Sequence, residues 1–171
     1  MMPVLYFAGG CFWGIEHAFR QLDGVLGTTA GYANGHVDNP AYSDVKHGDT
    51  GHKETVEVVY DPSVVSVQTL LKAFFILIDP ERDDGQGNDI GDQYRTAVYY
   101  PADADPALVG ELESGFAAEK ARHSRFFTEL GPLTSFFDAE DYHQDYLVKN
   151  PNGYCHVSVA EFRAIRELNR R

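Results

Sequence analysis

Cys11 stands in the hexapeptide Gly9-Gly10-Cys11-Phe12-Trp13-Gly14, whose residue types suit nucleophilic chemistry. Two glycines allow the backbone to turn sharply and to approach a ligand closely. We expect Cys11 to lie in the first turn of a helix, where free N–H groups and the helix dipole lower a thiol pKa and favour the thiolate. Phe12 and Trp13 cannot both face one core from the same helix, so at least one should line an open pocket. A buried, unreactive cysteine at a strand-to-helix junction is the alternative.

Glu54 is predicted to lie on the apolar face of a strand over 52–60. Alternate residues of a strand share a face, which groups Glu54 with Val56, Val58 and Tyr60. Desolvation at such a place raises a carboxyl pKa, and a shift of about 3 units, on the order of 4 kcal/mol, keeps the group protonated at pH 7. Glu54 is therefore a candidate general acid. The alternative is a strand-end glutamate that simply reaches solvent.

Further polar candidates lie in turns and loops. Tyr42 ends the turn Asn39-Pro40-Ala41-Tyr42, and Tyr94 follows a polar loop over 83–92 that contains Asp89. Phenolic hydroxyls at the rim of a pocket are good neutral donors to a ligand oxygen. The alternative for each tyrosine, taken singly, is an ordinary amphipathic packing residue. The seven histidines show no ligand spacing, so we expect no metal site.

The elements that must position these residues mix strands and helices without strict alternation. Apolar runs and period-two patterns predict strands over 4–8, 52–60, 94–100 and 128–133. Helices are predicted after Cys11, after the cap residue Ser66, from Asp105-Pro106 to about Ala121, and after a capping box of Ser158 with Glu161. This mixture favours an α+β fold over a doubly wound sheet.

Composition narrows the classes of function. The chain has 171 residues with 26 acidic against 14 basic side chains, a formal charge of -12 that disfavours a nucleic acid or an anionic membrane as partner. The longest apolar run, 73–78, is too short to cross a bilayer, and the N-terminus lacks the features of a signal peptide. With only Cys11 and Cys155, a disulfide scaffold is excluded. We expect a cytoplasmic protein of one domain, 1–171, and a monomer.

Taken together, the motifs resemble those of the A-class peptide methionine sulfoxide reductases over about Val4 to His156. The segments that carry the resemblance are Gly10-Cys11-Phe12-Trp13-Gly14, Ala30-Gly31-Tyr32, Asn39-Pro40-Ala41-Tyr42, Gly48-Asp49-Thr50-Gly51-His52-Lys53-Glu54, Gln86-Gly87-Asn88-Asp89, Gln93-Tyr94-Arg95, His143-Gln144-Asp145-Tyr146-Leu147 and Asn150-Pro151-Asn152-Gly153-Tyr154-Cys155. Ile78 departs from the pattern, because family members usually carry a histidine there. The resemblance implies a two-layer α/β roll around a mixed sheet.

The resemblance also implies a role for each candidate residue. Cys11 would be the nucleophile, Glu54 the acid and Cys155 the recycling cysteine. Tyr42 and Tyr94 would donate their hydroxyls to the sulfoxide oxygen, and Asp89 would help shape the polar site. Phe12 and Trp13 would hold the S-methyl group of the substrate. The loop and helix of about 150–171 would carry the recycling cysteine. The expected partners are methionine sulfoxide in peptides and proteins, reduced as its S-epimer, and thioredoxin as reductant, with no cofactor.

Two other classes of function are compatible with the residues alone. A cysteine hydrolase or acyltransferase would use Cys11 with a histidine base and would need neither a second thiol nor a reductant. A noncatalytic binding module with an aromatic cleft would leave Cys11 with an ordinary thiol pKa and would form no sulfenic acid.

Overall fold

A computed structural model describes residues 2–169. Met1, Arg170 and Arg171, which the predicted domain of 1–171 includes, lie outside the described residues. The strands are β1 (Val4–Ala8), β2 (Val25–Ala33), β3 (Lys53–Tyr60), β4 (Gly85–Gln86), β5 (Asp89–Ile90), β6 (Ala97–Tyr100), β7 (Glu129–Pro132) and β8 (Phe136–Asp138). The helices are α1 (Phe12–Arg20), α2 (Tyr42–His47), α3 (Val67–Leu77), α4 (Pro106–Lys120), α5 (Tyr146–Lys149) and α6 (Val159–Glu167).

Six strands form one mixed sheet in the order β7-β6-β1-β3-β2-β8. The β6–β7 pair is parallel and the other neighbours are antiparallel. β4 and β5 pair with each other in a separate small hairpin. In the β2–β3 register Tyr32 lies opposite Glu54, so both side chains point to the same face of the sheet. The mixed sheet confirms the predicted α+β class.

Alternate residues of the strands contribute to two separate cores, one on each face of the sheet. The buried residues of the long helices belong to the core on one face. Leu5 and Phe7 of β1 belong to the main core, together with Phe19 of α1, Phe74 of α3 and buried residues of α4 and α6. Tyr6 and Ala8 point to the opposite face, where a smaller cluster covers the sheet. This arrangement gives the two layers that the resemblance implies.

Helix caps confirm the predicted boundaries. The Ser66 side chain accepts a hydrogen bond from the Thr69 N–H, and Asp105 caps α4 with proline in the first turn. Ser158 and Glu161 form the predicted capping box of α6. Each such cap satisfies backbone groups that would otherwise lack a partner. Within residues 2–169, every helix is too short or too polar to cross a membrane.

The structure also differs from the predicted elements. The short elements α2, α5 and β8 were not predicted. β2 lies next to β3 in the sheet, although the sequence 25–33 showed no clear strand pattern. The predicted loop over 83–92 contains the β4–β5 hairpin, which makes it an ordered polar segment. Tyr94 lies in a single 3₁₀ turn, 92–94, and the strand predicted from residue 94 begins only at Ala97.

Candidate active site

Cys11 is the N-cap residue of α1, directly after β1 and a glycine turn. Gly10 has φ +87°, and a Cβ added to it would lie 2.8 Å from Cβ of Gln86, so this position requires glycine. The turn places Cys11 where β1 ends and α1 begins, with its side chain only 6% exposed. The strand–turn–helix context predicted for Cys11 is therefore confirmed.

The thiol pKa of Cys11 differs in direction from the prediction. Burial raises the pKa of the Cys11 thiol, and the negative charges of Glu54 and Asp89 raise it further. A hydrogen bond to the backbone at Trp13 lowers it, but by less than these effects combined. The sequence argument considered the helix N-terminus alone and could not weigh the desolvation of the thiol against it.

Glu54 is buried beside the nucleophile, at 1% exposure. Its Oε1 accepts a hydrogen bond of 3.2 Å from the backbone N–H of Phe12, one of the free N–H groups of the first turn of α1. Burial raises the pKa of Glu54 to about 8, with a smaller contribution from the charge of Asp89 and an opposing one from the hydrogen bond. The predicted protonated carboxyl at pH 7 is thus supported by the packing. Oε2 is buried without a hydrogen-bond partner among the described residues.

Tyr42 and Tyr94 meet at the same site from different elements. Tyr42 begins α2 and Tyr94 ends the 3₁₀ turn before β6, and their side chains lie close enough to influence each other's pKa. Burial raises the pKa of Tyr42 to about 12 and also raises that of Tyr94, and the charges of Glu54 and Cys11 act in the same direction on both. Both phenols therefore stay neutral near pH 7 and can donate to an oxygen bound between them.

Phe12 and Trp13 have different environments. Phe12 is 1% exposed and packs against Tyr32, at 5.8 Å between ring centroids. Trp13 is partly exposed, stacks on Tyr146 at 3.7 Å between centroids, and donates its indole N–H to Nδ1 of His143 over 3.0 Å. We expected at least one of the two aromatic residues to line an open pocket, and Trp13 is the one whose side chain is partly exposed.

Asp89 lies on β5 in the small hairpin, close enough for its charge to act on Cys11, Glu54 and Tyr94. Its Oδ2 accepts a hydrogen bond of 2.9 Å from the hydroxyl of Tyr154. The hairpin therefore contacts the segment that carries Cys155, and the charge of its Asp89 acts on Glu54.

Cys155 is half-buried against α1. Its Sγ lies 3.0 Å from the position that a Cβ on Gly14 would occupy, one helical turn after Cys11. Val157 donates its backbone N–H to this Sγ over 3.4 Å, and burial raises the thiol pKa of Cys155. Both cysteines are free thiols.

The sequence analysis gave no individual role to several residues of this site. His143 is 1% exposed and contacts the rings of Phe12, Trp13 and Tyr42 at 5.1, 5.7 and 4.5 Å between centroids. Glu140 accepts hydrogen bonds from the Tyr32 hydroxyl and from the backbone N–H of Tyr42. The only signal for these residues was their place in or next to the segment 143–147. In the described part of the chain, no group of three or more His, Cys, Asp or Glu side chains is arranged to hold a metal ion.

Proteins with sequences similar to this chain are sulfoxide reductases. Residues 3–170 match the family described as peptide methionine sulfoxide reductase. The chain is 44% identical over 158 residues to the peptide methionine sulfoxide reductase MsrA of Alkaliphilus metalliredigens, covering 92% of this chain and 99% of that one. The MsrA of Clostridium acetobutylicum is 44% identical over 156 residues, 91% of this chain and 95% of its own.

Solved structures agree with these sequence relatives. The methionine sulfoxide reductase A of Corynebacterium diphtheriae superposes with a TM-score of 0.83 at 36% identity, covering 90% of this chain and 77% of that one. The reduced form of Mxr1 from Saccharomyces cerevisiae gives 0.82 at 36% identity, covering 90% and 88%. The family model matches nearly the whole chain and the relatives are peptide methionine sulfoxide reductases, so this chain belongs to the peptide methionine sulfoxide reductase family.

Proposed function

We propose that this family member reduces the S-epimer of methionine sulfoxide at the site around Cys11. The observation that carries the proposal is a carboxyl with a pKa of about 8, held by the first turn of the helix that Cys11 caps. Such a group is a proton donor near neutral pH, and the reduction of a sulfoxide requires a proton on the departing oxygen. The proposal is supported by the names of the relatives in the matching family.

The first half-reaction transfers oxygen from the substrate to Cys11. The Cys11 sulfur attacks the sulfoxide sulfur, Glu54 gives its proton to the sulfoxide oxygen, and Tyr42 and Tyr94 donate hydrogen bonds to that oxygen as negative charge develops. The substrate S–O bond breaks, methionine leaves, and Cys11 holds the oxygen as a sulfenic acid. The proton lost by the Cys11 thiol restores Glu54, so the step balances.

The raised thiol pKa of Cys11 is compatible with this chemistry. The charge of an ionised Glu54 is one cause of the raised value, and that cause is absent while Glu54 holds its proton. The charge of Asp89 favours the protonated form of Glu54 but also raises the thiol pKa of Cys11, and burial, the largest cause of the raised value, remains. Cys11 therefore reacts as a thiol that passes its proton to Glu54 as Glu54 protonates the sulfoxide oxygen.

The aromatic residues supply the apolar part of the substrate site. Trp13, partly exposed and fixed by His143 and Tyr146, would hold the S-methyl group together with the buried Phe12.

In the second half-reaction Cys155 attacks the sulfenic acid, water leaves, and the resulting disulfide is reduced by thioredoxin. The cytosol, where disulfides are kept reduced, is the compartment that fits such a cycle. We propose one catalytic domain for residues 1–171.

The test is incubation with the two separated epimers of a methionine sulfoxide peptide, followed by mass analysis. Loss of one oxygen mass from the S-epimer alone, in the presence of dithiothreitol, is the expected result. No loss from either epimer would refute the proposed function. The alternative of a cysteine hydrolase has no support among the relatives, and it would show turnover without any reductant.

A further inference from the structure

His156, the residue directly after Cys155, has no role in the cycle described so far. Its Cε1 lies 3.5 Å from the position that a Cβ on Gly10 would occupy, and its own Cβ lies 3.1 Å from the corresponding position at Gly87. The ring is thus held between the turn that precedes Cys11 and the β4–β5 hairpin. The contact with Gly10 places this imidazole next to the residue that precedes the nucleophile.

Cys155 and His156 both lie near residues close to Cys11 in the chain. The sulfur of Cys155 is close to Gly14, three residues after Cys11, while the ring of His156 is close to Gly10, one residue before it. Cys155 also acts on the pKa of the Cys11 thiol, so the two neighbouring side chains lie near the cysteine that becomes a sulfenic acid. Any approach of Cys155 toward Cys11 carries the histidine with it, because the two residues share one peptide bond.

Both ring nitrogens of His156 are buried without a hydrogen-bond partner among the described residues. The backbone at Gly9 lies near the ring, but no contact to a ring nitrogen has the geometry of a hydrogen bond. An unmade hydrogen bond of a buried group costs about 1–3 kcal/mol, and such groups in native proteins call for an explanation. A partner that appears only in another step of the cycle is such an explanation.

The surroundings keep this imidazole neutral. Burial lowers the pKa of His156, while the charges of Asp89 on the hairpin and Glu161 on α6 act in the opposite direction without reversing the shift. A neutral imidazole has one free acceptor nitrogen and one N–H donor. It can therefore accept a proton on one side and release one on the other.

We propose that His156 carries the proton in the recycling step. His156 takes the proton of the Cys155 thiol as that sulfur attacks the sulfur of the Cys11 sulfenic acid. The S–S bond forms, the S–O bond of the sulfenic acid breaks, and the imidazolium protonates the departing oxygen, which leaves as water. The Cys155 sulfur is oxidised and the Cys11 sulfur reduced, so electrons and protons balance without a further reagent. This role rests on the proposed function.

The step needs such a group because Cys155 does not ionise readily by itself. Burial raises its thiol pKa, with a further contribution from the charge of Glu161. Glu54 holds a proton again at the end of the first half-reaction and has a pKa of about 8, so it is not a free base near neutral pH. The carboxylate of Asp89 already accepts a hydrogen bond from the Tyr154 hydroxyl.

The test measures the two half-reactions separately in the full chain with substitutions His156→Gln and His156→Ala. Methionine formed in a single turnover reports the first half-reaction, and loss of both thiols with appearance of the disulfide, followed by quenching and mass analysis, reports the second. We expect methionine formation within about 2-fold of the wild type and disulfide formation slowed about 100-fold, the scale for losing a general base. Added imidazole should partly restore disulfide formation in His156→Ala.

The matched control is His17→Asn, because His17 is another histidine whose buried Nδ1 has no hydrogen-bond partner within residues 2–169, and it packs on Phe162 instead of the Cys11 turn. This control should leave both half-reactions unchanged. Unchanged disulfide formation in both His156 variants would overturn the proposal, and so would slowing without any rescue by imidazole. If the wild type forms no methionine, the proposed function fails instead, and the two failures are distinguishable.

Discussion

Replacement of Glu54 by glutamine should make the protein more stable at neutral pH and at the same time a poorer reductase. In the folded protein the carboxyl has a pKa of about 8, against 4.5 for the exposed group, so it stays protonated where the unfolded chain ionises it. Between these two values the unfolded state binds fewer protons, and the free energy of unfolding falls as pH rises. Because pH 7 lies about 2.5 pH units above the pKa of the exposed group, the free energy of unfolding is lowered there by an amount on the order of 3 kcal/mol. Glutamine has no proton to lose and avoids this cost.

The assay is urea denaturation from pH 5 to pH 8.5, combined with single-turnover formation of methionine. The difference in unfolding free energy between Glu54→Gln and the wild type should grow by about 1.4 kcal/mol per pH unit up to pH 8. The reductase step should slow about 100-fold or more. Glu113→Gln, at an exposed site on α4, is the control and should change neither quantity. A stability difference that stays constant over this pH range would refute the buried, neutral carboxyl, and an unchanged rate would show that Glu54 is not the acid.

Three further substitutions test the remaining parts of the site. Cys11→Ser should abolish methionine formation with the fold intact, because a hydroxyl cannot become a sulfenic acid; stoichiometric product from this variant would contradict the assignment. Cys155→Ser should still form one equivalent of methionine and then stop as a sulfenic acid that a dione reagent traps, whereas wild-type turnover with thioredoxin in this variant would exclude the Cys11–Cys155 disulfide. Gly10→Ala should lower the free energy of unfolding by about 1–3 kcal/mol, because its φ is +87° and Gln86 lies 2.8 Å from the new methyl group. The control Gly110→Ala on α4, where the new Cβ would have no neighbour within 4 Å among the described residues, should be neutral or stabilising in the same denaturation experiment.

The strand β2 shows where local pattern was insufficient. Its sequence, VLGTTAGYA, contains two glycines and two threonines, so neither an apolar run nor a clear alternation marks it. The strand forms because β3 and β8 supply hydrogen-bond partners on both sides, a condition that depends on distant parts of the chain. Tyr94 lies in a 3₁₀ turn that follows Gly91, whose φ is +145°, and the strand begins only after this turn.

The sequence by itself predicted that Cys11 follows a strand and a glycine turn and that Glu54 lies on the apolar face of a strand, because glycine turns, cap residues and the face of a strand are local properties. The roles proposed for these residues and for Tyr42 and Tyr94 rest on the family resemblance. The tertiary structure decided the charge states. The thiol pKa of Cys11 is raised instead of lowered because burial and the nearby carboxylates outweigh the helix N-terminus, and these neighbours come from β3 and from the β4–β5 hairpin. The proximity of His156 to Gly10 and of Cys155 to Gly14 likewise exists only once α1 and the segment near residue 155 have packed together, since about 140 residues separate them in the chain.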